Sequence, residues 1–80
     1  MSDIGFTNSI RTLRFLQGEM TQADLGQRVG LTRQTIAAIE AGKYSPSLEV
    51  AFRIAEVFGK RIEEVFQRTA VAEQGGRSGG

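Results

Sequence analysis

The chain has no cysteine and no histidine among its 80 residues. The first absence excludes disulfides, thiolate nucleophiles and thiolate metal sites, and the second removes the commonest general base and metal ligand. The acidic residues are scattered along the sequence, a pattern that does not favour a carboxylate metal site. We therefore expect a binding protein, not an enzyme, with no cofactor and no metal ion.

Long apolar runs are missing as well. No stretch approaches the roughly 20 apolar residues of a membrane span, and the N-terminus lacks a signal-peptide pattern. We expect a cytoplasmic protein that does not contact membrane, and no small-molecule site is evident. The length allows one small domain.

A strong excess of one charge is also absent, because the formal net charge is only +1. Many small DNA-binding domains are strongly basic. Composition alone therefore leaves the kind of partner open, and any nucleic-acid binding has to depend on where individual charges lie.

The stretch Thr21–Glu40, TQADLGQRVGLTRQTIAAIE, predicts two short helices joined by a tight turn. Thr21 and Thr32 are suitable N-caps, because a threonine hydroxyl can accept a bond from an unpaired backbone N–H of the first turn. Gly30 suits the left-handed conformation that ends a helix sharply. Two capped helices with one glycine between them predict a helix-turn-helix.

The second of these helices has an unusual outer face. At about 100° per residue, Ile36 and Ile39 point one way, while Gln34 and Ala38 point the other. Arg33 and Gln34 could bond base edges, and alanine methyls could touch thymine. From spacing alone, an exposed alanine-rich helix chosen for its helix propensity remains open.

The remaining segments predict three more helices. The first runs from about Ser9 to Gln17, capped by Thr7 or Asn8, with Phe6 folding back on it and Phe15 or Leu16 extending its core face. The connector GKYSPS places Ser45 or Ser47 as the cap of a helix Leu48–Phe58 that is apolar almost all round. A short helix then follows that contains Ile62, Val65 and Phe66. Val57 and Phe66 could either cover the core or supply a dimer surface.

Residues 8–66 resemble the Cro- and phage-repressor-type helix-turn-helix regulators, often called Xre-like. The matching stretches are IRTLR, GEMTQADLGQRVGLTRQTIAAIEAGKYSPSLEVAF and RIAEVFGKRIEEVF. The resemblance implies an all-α fold, a compact five-helix bundle of the phage-repressor DNA-binding type with a central helix-turn-helix. We expect a flexible arm over residues 1–5, the domain over residues 6–68 and a disordered tail over residues 69–80.

The resemblance also implies roles for individual residues. The third helix, which follows Thr32, would enter the major groove of double-stranded DNA. Arg14 of the first helix would pair with Glu40, although the residues alone leave open that both are unpaired surface charges. Gly26 departs from the family, which commonly has alanine at this position, where the two central helices approach most closely. Glycine also permits the close approach, but we expect it to weaken the second helix by about 1 kcal/mol relative to alanine. The implied base contacts are Arg33, Gln34, Thr35, Ala37 and Ala38, and the implied backbone contacts are Gln22, Thr32, Lys43, Tyr44 and Arg14.

These expectations describe a sequence-specific transcriptional regulator, with repression expected before activation. It would act as a homodimer on a pseudo-palindromic operator. A different class also fits the near-neutral charge. The same fold serves as a protein-interaction module, such as an antitoxin or adaptor component that docks on a partner protein.

Overall fold

The computed structural model describes residues 5–69. The predicted arm and tail therefore lie almost entirely outside the described residues, and their boundaries stay predictions. Five helices lie where the sequence indicates them, and the described part adds two short strands that it did not. The elements in chain order are β1 (Phe6–Asn8), α1 (Ile10–Leu16), α2 (Gln22–Val29), α3 (Arg33–Glu40), α4 (Leu48–Phe58), α5 (Ile62–Val65) and β2 (Phe66–Arg68).

The mostly helical prediction holds for the five helices, and two short strands add to it. β1 and β2 pair antiparallel, with Phe6 opposite Arg68 and Asn8 opposite Phe66. The rings of Phe6 and Phe66 meet edge to face with their centroids 5.9 Å apart. Phe6 therefore packs on Phe66 from the other end of the domain, and Phe66 follows the fifth helix in an extended conformation. Pairing across the domain closes the two ends of the fold against each other.

The predicted caps at Thr21 and Thr32 are confirmed, and Ser47 is the cap of α4. Asp24 N–H donates to the Thr21 hydroxyl at 2.9 Å, and Thr21 N–H donates back to the Asp24 carboxylate at 3.2 Å. The Ser47 hydroxyl accepts from Val50 N–H at 3.2 Å. These bonds satisfy backbone donors that a helix start otherwise leaves unpaired, so each helix begins at a defined residue.

The turn between α2 and α3 is tighter than the sequence suggested. Gly30 has the predicted left-handed φ of 83°, and the N–H groups of Gly30 and Leu31 both donate to the Gly26 carbonyl at 2.8 Å. A Cβ added at Gly26 would lie 2.5 Å from the Leu31 carbonyl oxygen. The close approach expected at Gly26 is present, and it is closer than the family's usual alanine would allow.

The core lies between the helix-turn-helix and α4, and α5 closes one end. Leu13, Val57, Ile62 and Phe66 are partly buried and pack against this core. Its buried members are Ile10, Met20, Leu25, Val29, Ile36, Ile39, Ile54, Ala55, Phe58 and Val65. No helix in residues 5–69 is long and apolar enough to cross a membrane.

Two apolar surfaces differ from expectation. Phe15 and Leu16 were expected to extend the core face of α1, but they are 54% and 75% exposed. α4 was expected to be covered by neighbours on nearly every side, yet Leu48 and Phe52 are 67% and 49% exposed. Sequence periodicity gives the apolar faces of α4 but not which neighbours are present to cover them.

Candidate nucleic-acid interface

Helix α3 has one buried and one exposed face, as its spacing predicts. Ile36 and Ile39 are buried in the core. Arg33 and Gln34 are exposed, and Thr35, Ala37 and Ala38 are partly exposed. The burial of two isoleucines fixes the rotation of the helix about its axis, so its polar N-terminal end projects from the domain.

The first turn of α3 is held by two threonines. Thr35 N–H donates to the Thr32 hydroxyl at 3.1 Å, and the two hydroxyl oxygens lie 3.0 Å apart. This local network orders the turn that carries Arg33 and Gln34. A side chain whose backbone is ordered before binding loses less entropy when it meets a ligand.

The connector after α3 lies against the exposed face of that helix. Gly42 has a φ of 76°, and Lys43 N–H donates to the Ala38 carbonyl at 2.9 Å, which turns the chain back along α3. The result is an open groove of about 340 Å³. The groove is lined by Gln34, Thr35, Ala38, Lys43 and Tyr44. We call these five residues together with Arg33 the candidate interface.

The charge at this surface is positive. Arg33 and Lys43 are both exposed. Within residues 5–69, the ion pairs are Arg14–Glu40, Arg53–Glu49 and Arg61–Glu63, so neither of these two cations is neutralised by a described acidic partner. A small protein with a net charge of +1 thus presents two cations that have no acidic partner among residues 5–69, one in the first turn of α3 and one on the connector after it.

Arg14 and Glu40 form the pair that the resemblance implied. Arg14 Nε and Nη2 donate to the two Glu40 carboxylate oxygens at 2.6 and 3.1 Å, and Nη1 donates to the Met20 carbonyl at 2.8 Å. The side chains are only 11% and 10% exposed. Because the three groups of this guanidinium all have protein partners, the geometry supports a structural role for Arg14 and not the predicted contact with the DNA backbone.

Gln22 also bonds Glu40, and no sequence pattern predicted this contact. Its Nε2 donates to the Glu40 carboxylate at 3.2 Å. The bond links the first residue of α2 to the last residue of α3, and residues 18 positions apart carry no local pattern that would reveal it. The second N–H and the carbonyl oxygen of the Gln22 amide have no hydrogen-bond partner in the part of the chain that the structure describes.

A second unforeseen link starts at Asn8. Its Nδ2 donates to the Ile39 carbonyl at 3.0 Å, and its Oδ1 accepts from Ile10 N–H at 3.1 Å. The N-cap of α1 is Ser9 and not Thr7 or Asn8 as predicted, but Asn8 accepts from the first N–H of α1 and ties that helix to the C-terminal end of α3. Together with the Arg14–Glu40 pair, this bond fixes α3 at the end opposite its exposed polar turn.

The structure brings some predicted site residues together and separates others. Gln34, Thr35, Ala38, Lys43 and Tyr44 line one groove, and Arg33 is exposed next to Gln34 in the first turn of α3. Arg14 is turned into the network with Glu40, and Val57 and Phe66 pack against the core. In the described residues, no three acidic side chains come close enough to hold a metal ion.

Comparisons with known proteins agree with this architecture. A helix-turn-helix family model matches residues 10–65. An uncharacterised HTH-type transcriptional regulator of Methanocaldococcus jannaschii is 51% identical over 59 residues, which cover 74% of this chain and 88% of that protein. A counterpart from Bacillus subtilis, YgzD, is 48% identical with the same coverage.

A phage repressor and a solved structure extend the comparison. The cryptic phage CTXphi transcriptional repressor RstR of Vibrio cholerae is 32% identical over 75% of this chain, which spans about half, 53%, of that repressor. A crystal structure of a candidate DNA-binding protein from Bacteroides fragilis has a TM-score of 0.68 at 21% identity and covers 78% of this chain and 98% of its own, a likeness that concerns the fold alone. The chain belongs to the helix-turn-helix family of the Xre and Cro type.

Proposed function

We propose that this protein is a transcriptional regulator that binds double-stranded DNA with α3 in the major groove. One observation carries the proposal. The exposed polar side chains at the start of α3 and the cationic connector lie on one continuous surface around an open groove. The names of the relatives from Methanocaldococcus jannaschii and Bacillus subtilis support the same role.

The proposed base contacts are at the N-terminal half of α3. Arg33 presents a planar fork that matches the two acceptors of guanine, and the Gln34 amide matches the acceptor and donor of adenine. Thr35, Ala37 and Ala38 are small and allow the helix backbone to lie close to the bases, with their methyl groups near thymine. These contacts supply sequence preference.

The proposed backbone contacts surround the base contacts. Lys43 and Tyr44 lie on the connector beside the groove, where a cation and a hydroxyl can bond phosphates. Gln22 and Thr32 lie at the starts of α2 and α3, whose free N–H groups favour an anion. Gln22 is held by Glu40, so its orientation is set before DNA arrives. Such contacts fix position without reading sequence.

The proposed assembly is a homodimer on a pseudo-palindromic operator. A single α3 spans only a few base pairs, and two copies related by a two-fold axis would place half-sites about 34–36 Å apart. The name of the Vibrio cholerae relative, a transcriptional repressor, favours repression over activation. The working location of such a protein is the cytoplasm, on the nucleoid.

Selection of bound sites from a random duplex library, at two salt concentrations, tests this proposal. The expected result is a pseudo-palindrome with half-sites one helical turn apart that is still enriched at the higher salt. Weak binding without sequence preference, lost at moderate salt, would contradict it. That outcome would favour the second candidate function, an antitoxin or adaptor component, for which the exposed Leu48 and Phe52 are the supporting observation.

A further inference from the structure

The groove between α3 and the connector carries an aromatic ring that has no role so far. Its lining includes Thr35 and Ala38 of α3 and Tyr44 of the connector, around a volume of about 340 Å³. Tyr44 is 53% exposed. The backbone contact proposed above uses only the Tyr44 hydroxyl. The ring itself is the largest apolar group in the lining of the groove.

We propose that this groove holds the C5-methyl group of a pyrimidine in the major groove of DNA, and that the Tyr44 ring is the specificity-determining group that closes it. The inference rests on the proposed function and deepens it, since it names a chemical group that the site reads. Among the ordinary bases only thymine carries this methyl group, and 5-methylcytosine carries it at the same ring position. The ring thereby acts beside the hydroxyl that bonds a phosphate.

The polar groups of the groove that face its apolar ones are already bonded within the protein. Lys43 N–H donates to the Ala38 carbonyl at 2.9 Å. Thr35 N–H donates to the Thr32 hydroxyl at 3.1 Å, and the two threonine hydroxyl oxygens lie 3.0 Å apart. Thr35 therefore offers the groove its methyl group, and Ala38 offers its Cβ. Such a lining suits an apolar substituent better than a phosphate oxygen.

The backbone holds Tyr44 against α3 before DNA arrives. Gly42 is left-handed, with a φ of 76°, and its N–H donates to the Ile39 carbonyl at 3.0 Å. With the bond from Lys43 to Ala38, this turn ends α3 and reverses the chain along it. Tyr44 comes two residues after Gly42, so its backbone is ordered in advance. A group ordered before binding loses less entropy when its ligand arrives.

The chemistry of the base edges separates this contact from the hydrogen bonds of α3. The forks of Arg33 and Gln34 match guanine and adenine, so they do not detect a methyl group on a pyrimidine. Apolar contact from an alanine, a threonine methyl or an aromatic ring recognises the thymine methyl. The groove is much larger than one methyl group, since a water molecule occupies about 30 Å³. It therefore admits the pyrimidine edge that carries the methyl group.

Replacement of single thymines by deoxyuridine in the selected operator tests the proposal. Each replacement removes one methyl group and leaves every hydrogen-bonding group of the base pair in place. We expect one thymine in each half-site at which deoxyuridine raises the Kd of the wild-type protein about three- to fivefold, the effect of burying one methyl group. Fluorescence anisotropy titrations measure the ratio of the two Kd values at each thymine.

Two variants separate the ring of Tyr44 from its hydroxyl. Tyr44→Ala should bring the ratio at that thymine to about one, because the group that closes the groove is gone. Tyr44→Phe should weaken binding to both duplexes alike and keep the wild-type ratio, because the ring remains. Arg61→Ala, an exposed arginine at the start of α5, is the control and should also keep the ratio. Circular dichroism should show that all variants are folded.

A cytosine at the same position extends the test to methylated DNA. The duplex with 5-methylcytosine should bind wild type about three- to fivefold more tightly than the duplex with cytosine, since the methyl group is the same. Tyr44→Ala should remove this gain. Methylation of a cytosine in the operator would then raise the occupancy of the site.

Four results would overturn the proposal. These are a wild-type protein indifferent to deoxyuridine at every thymine, an unchanged ratio in Tyr44→Ala, a ratio lost in Tyr44→Phe, and equal binding of cytosine and 5-methylcytosine. A protein that prefers its operator but ignores the methyl group would overturn this inference alone. A protein without any sequence preference would overturn the proposed function as well, so the two failures are distinguishable.

Discussion

The Arg14 guanidinium in α1 donates two hydrogen bonds, of 2.6 and 3.1 Å, to the Glu40 carboxylate at the end of α3. Arg14 also bonds the Met20 carbonyl, and Gln22 bonds Glu40 from the start of α2. The Glu40 carboxylate of α3 is therefore bonded to both α1 and α2. Since Ile36 and Ile39 fix the rotation of α3, this network fixes its far end, and the exposed N-terminal turn is presented in a defined direction.

Removing one partner of this pair should destabilise the fold strongly. In Arg14→Met the Glu40 carboxylate stays about nine-tenths buried without its cation, and we expect a loss of about 3–5 kcal/mol in the free energy of unfolding. Urea denaturation measures this loss. The double variant Arg14→Met/Glu40→Met should lose less than the sum of the two single variants, because it leaves no unpaired charge.

The exposed pair on α4 provides the control. Glu49 and Arg53 are 72% and 50% exposed, so Glu49→Gln should cost less than about 1 kcal/mol. Similar losses for Arg14→Met and Glu49→Gln would show that the burial of Arg14 and Glu40 has no energetic consequence, contrary to this account.

Gly26→Ala should destabilise the protein although alanine is the better helix former. The substitution gains about 1 kcal/mol of helix propensity. The new Cβ would lie 2.5 Å from the Leu31 carbonyl oxygen, a backbone atom that can move only if the turn opens. We expect a net loss of about 1–3 kcal/mol in the free energy of unfolding, typical of overpacking.

Ala23→Gly is the matched change on the exposed side of α2. It should cost about 1 kcal/mol through propensity alone. A higher urea midpoint for Gly26→Ala than for wild type would show that the turn relaxes freely, and would contradict the close packing described for Gly26.

Sequence reasoning succeeded where the determining contacts are local. Thr21, Thr32 and Gly30 act within three or four residues of their own positions, so their roles as caps and as a helix stop follow from the sequence. Phe6 and Phe66 meet across 60 positions and no local pattern indicates their pairing, which is why the two strands were missed.

The same distinction between local and long-range contacts applies to the candidate interface. The outward face of α3 follows from its periodicity, whereas the bonds that hold Gln22 and Arg14 to Glu40 depend on how three helices meet. The exposure of Leu48 and Phe52 could not be predicted, because the sequence shows that a side chain is apolar but not which neighbours cover it. The close approach at Gly26 was expected, but the sequence could not show that it excludes even alanine, because the carbonyl in the way belongs to Leu31 on the far side of the turn.

Arg33→Ala should weaken binding to the preferred site by about 1–3 kcal/mol and relax preference at one base position per half-site. The reason is the loss of a two-point contact with guanine. Fluorescence anisotropy titrations on the selected site and on single-base variants measure both effects. Arg61→Ala, an exposed arginine at the start of α5, is the control and should change neither. A uniform loss on all duplexes would make Arg33 a phosphate contact.

Lys43→Ala should weaken binding to every sequence alike, because a phosphate contact carries no sequence information. It should also lower the slope of log Kd against log salt by about one unit, the release of roughly one counterion. Lys60→Ala, an exposed lysine after α4, should leave the slope unchanged. An unaltered slope in Lys43→Ala would remove Lys43 from the backbone contacts.

The most direct test of α3 as the base-contacting element is methylation interference on the selected operator. Dimethyl sulfate methylates guanine N7, which lies in the major groove and is one of the two acceptors assigned to Arg33. We predict that methylation of one guanine in each half-site blocks the wild-type protein, and that Arg33→Ala loses sensitivity at that guanine alone. Binding that tolerates methylation of every guanine N7, but is blocked by methylation of adenine N3 in the minor groove, would contradict the account.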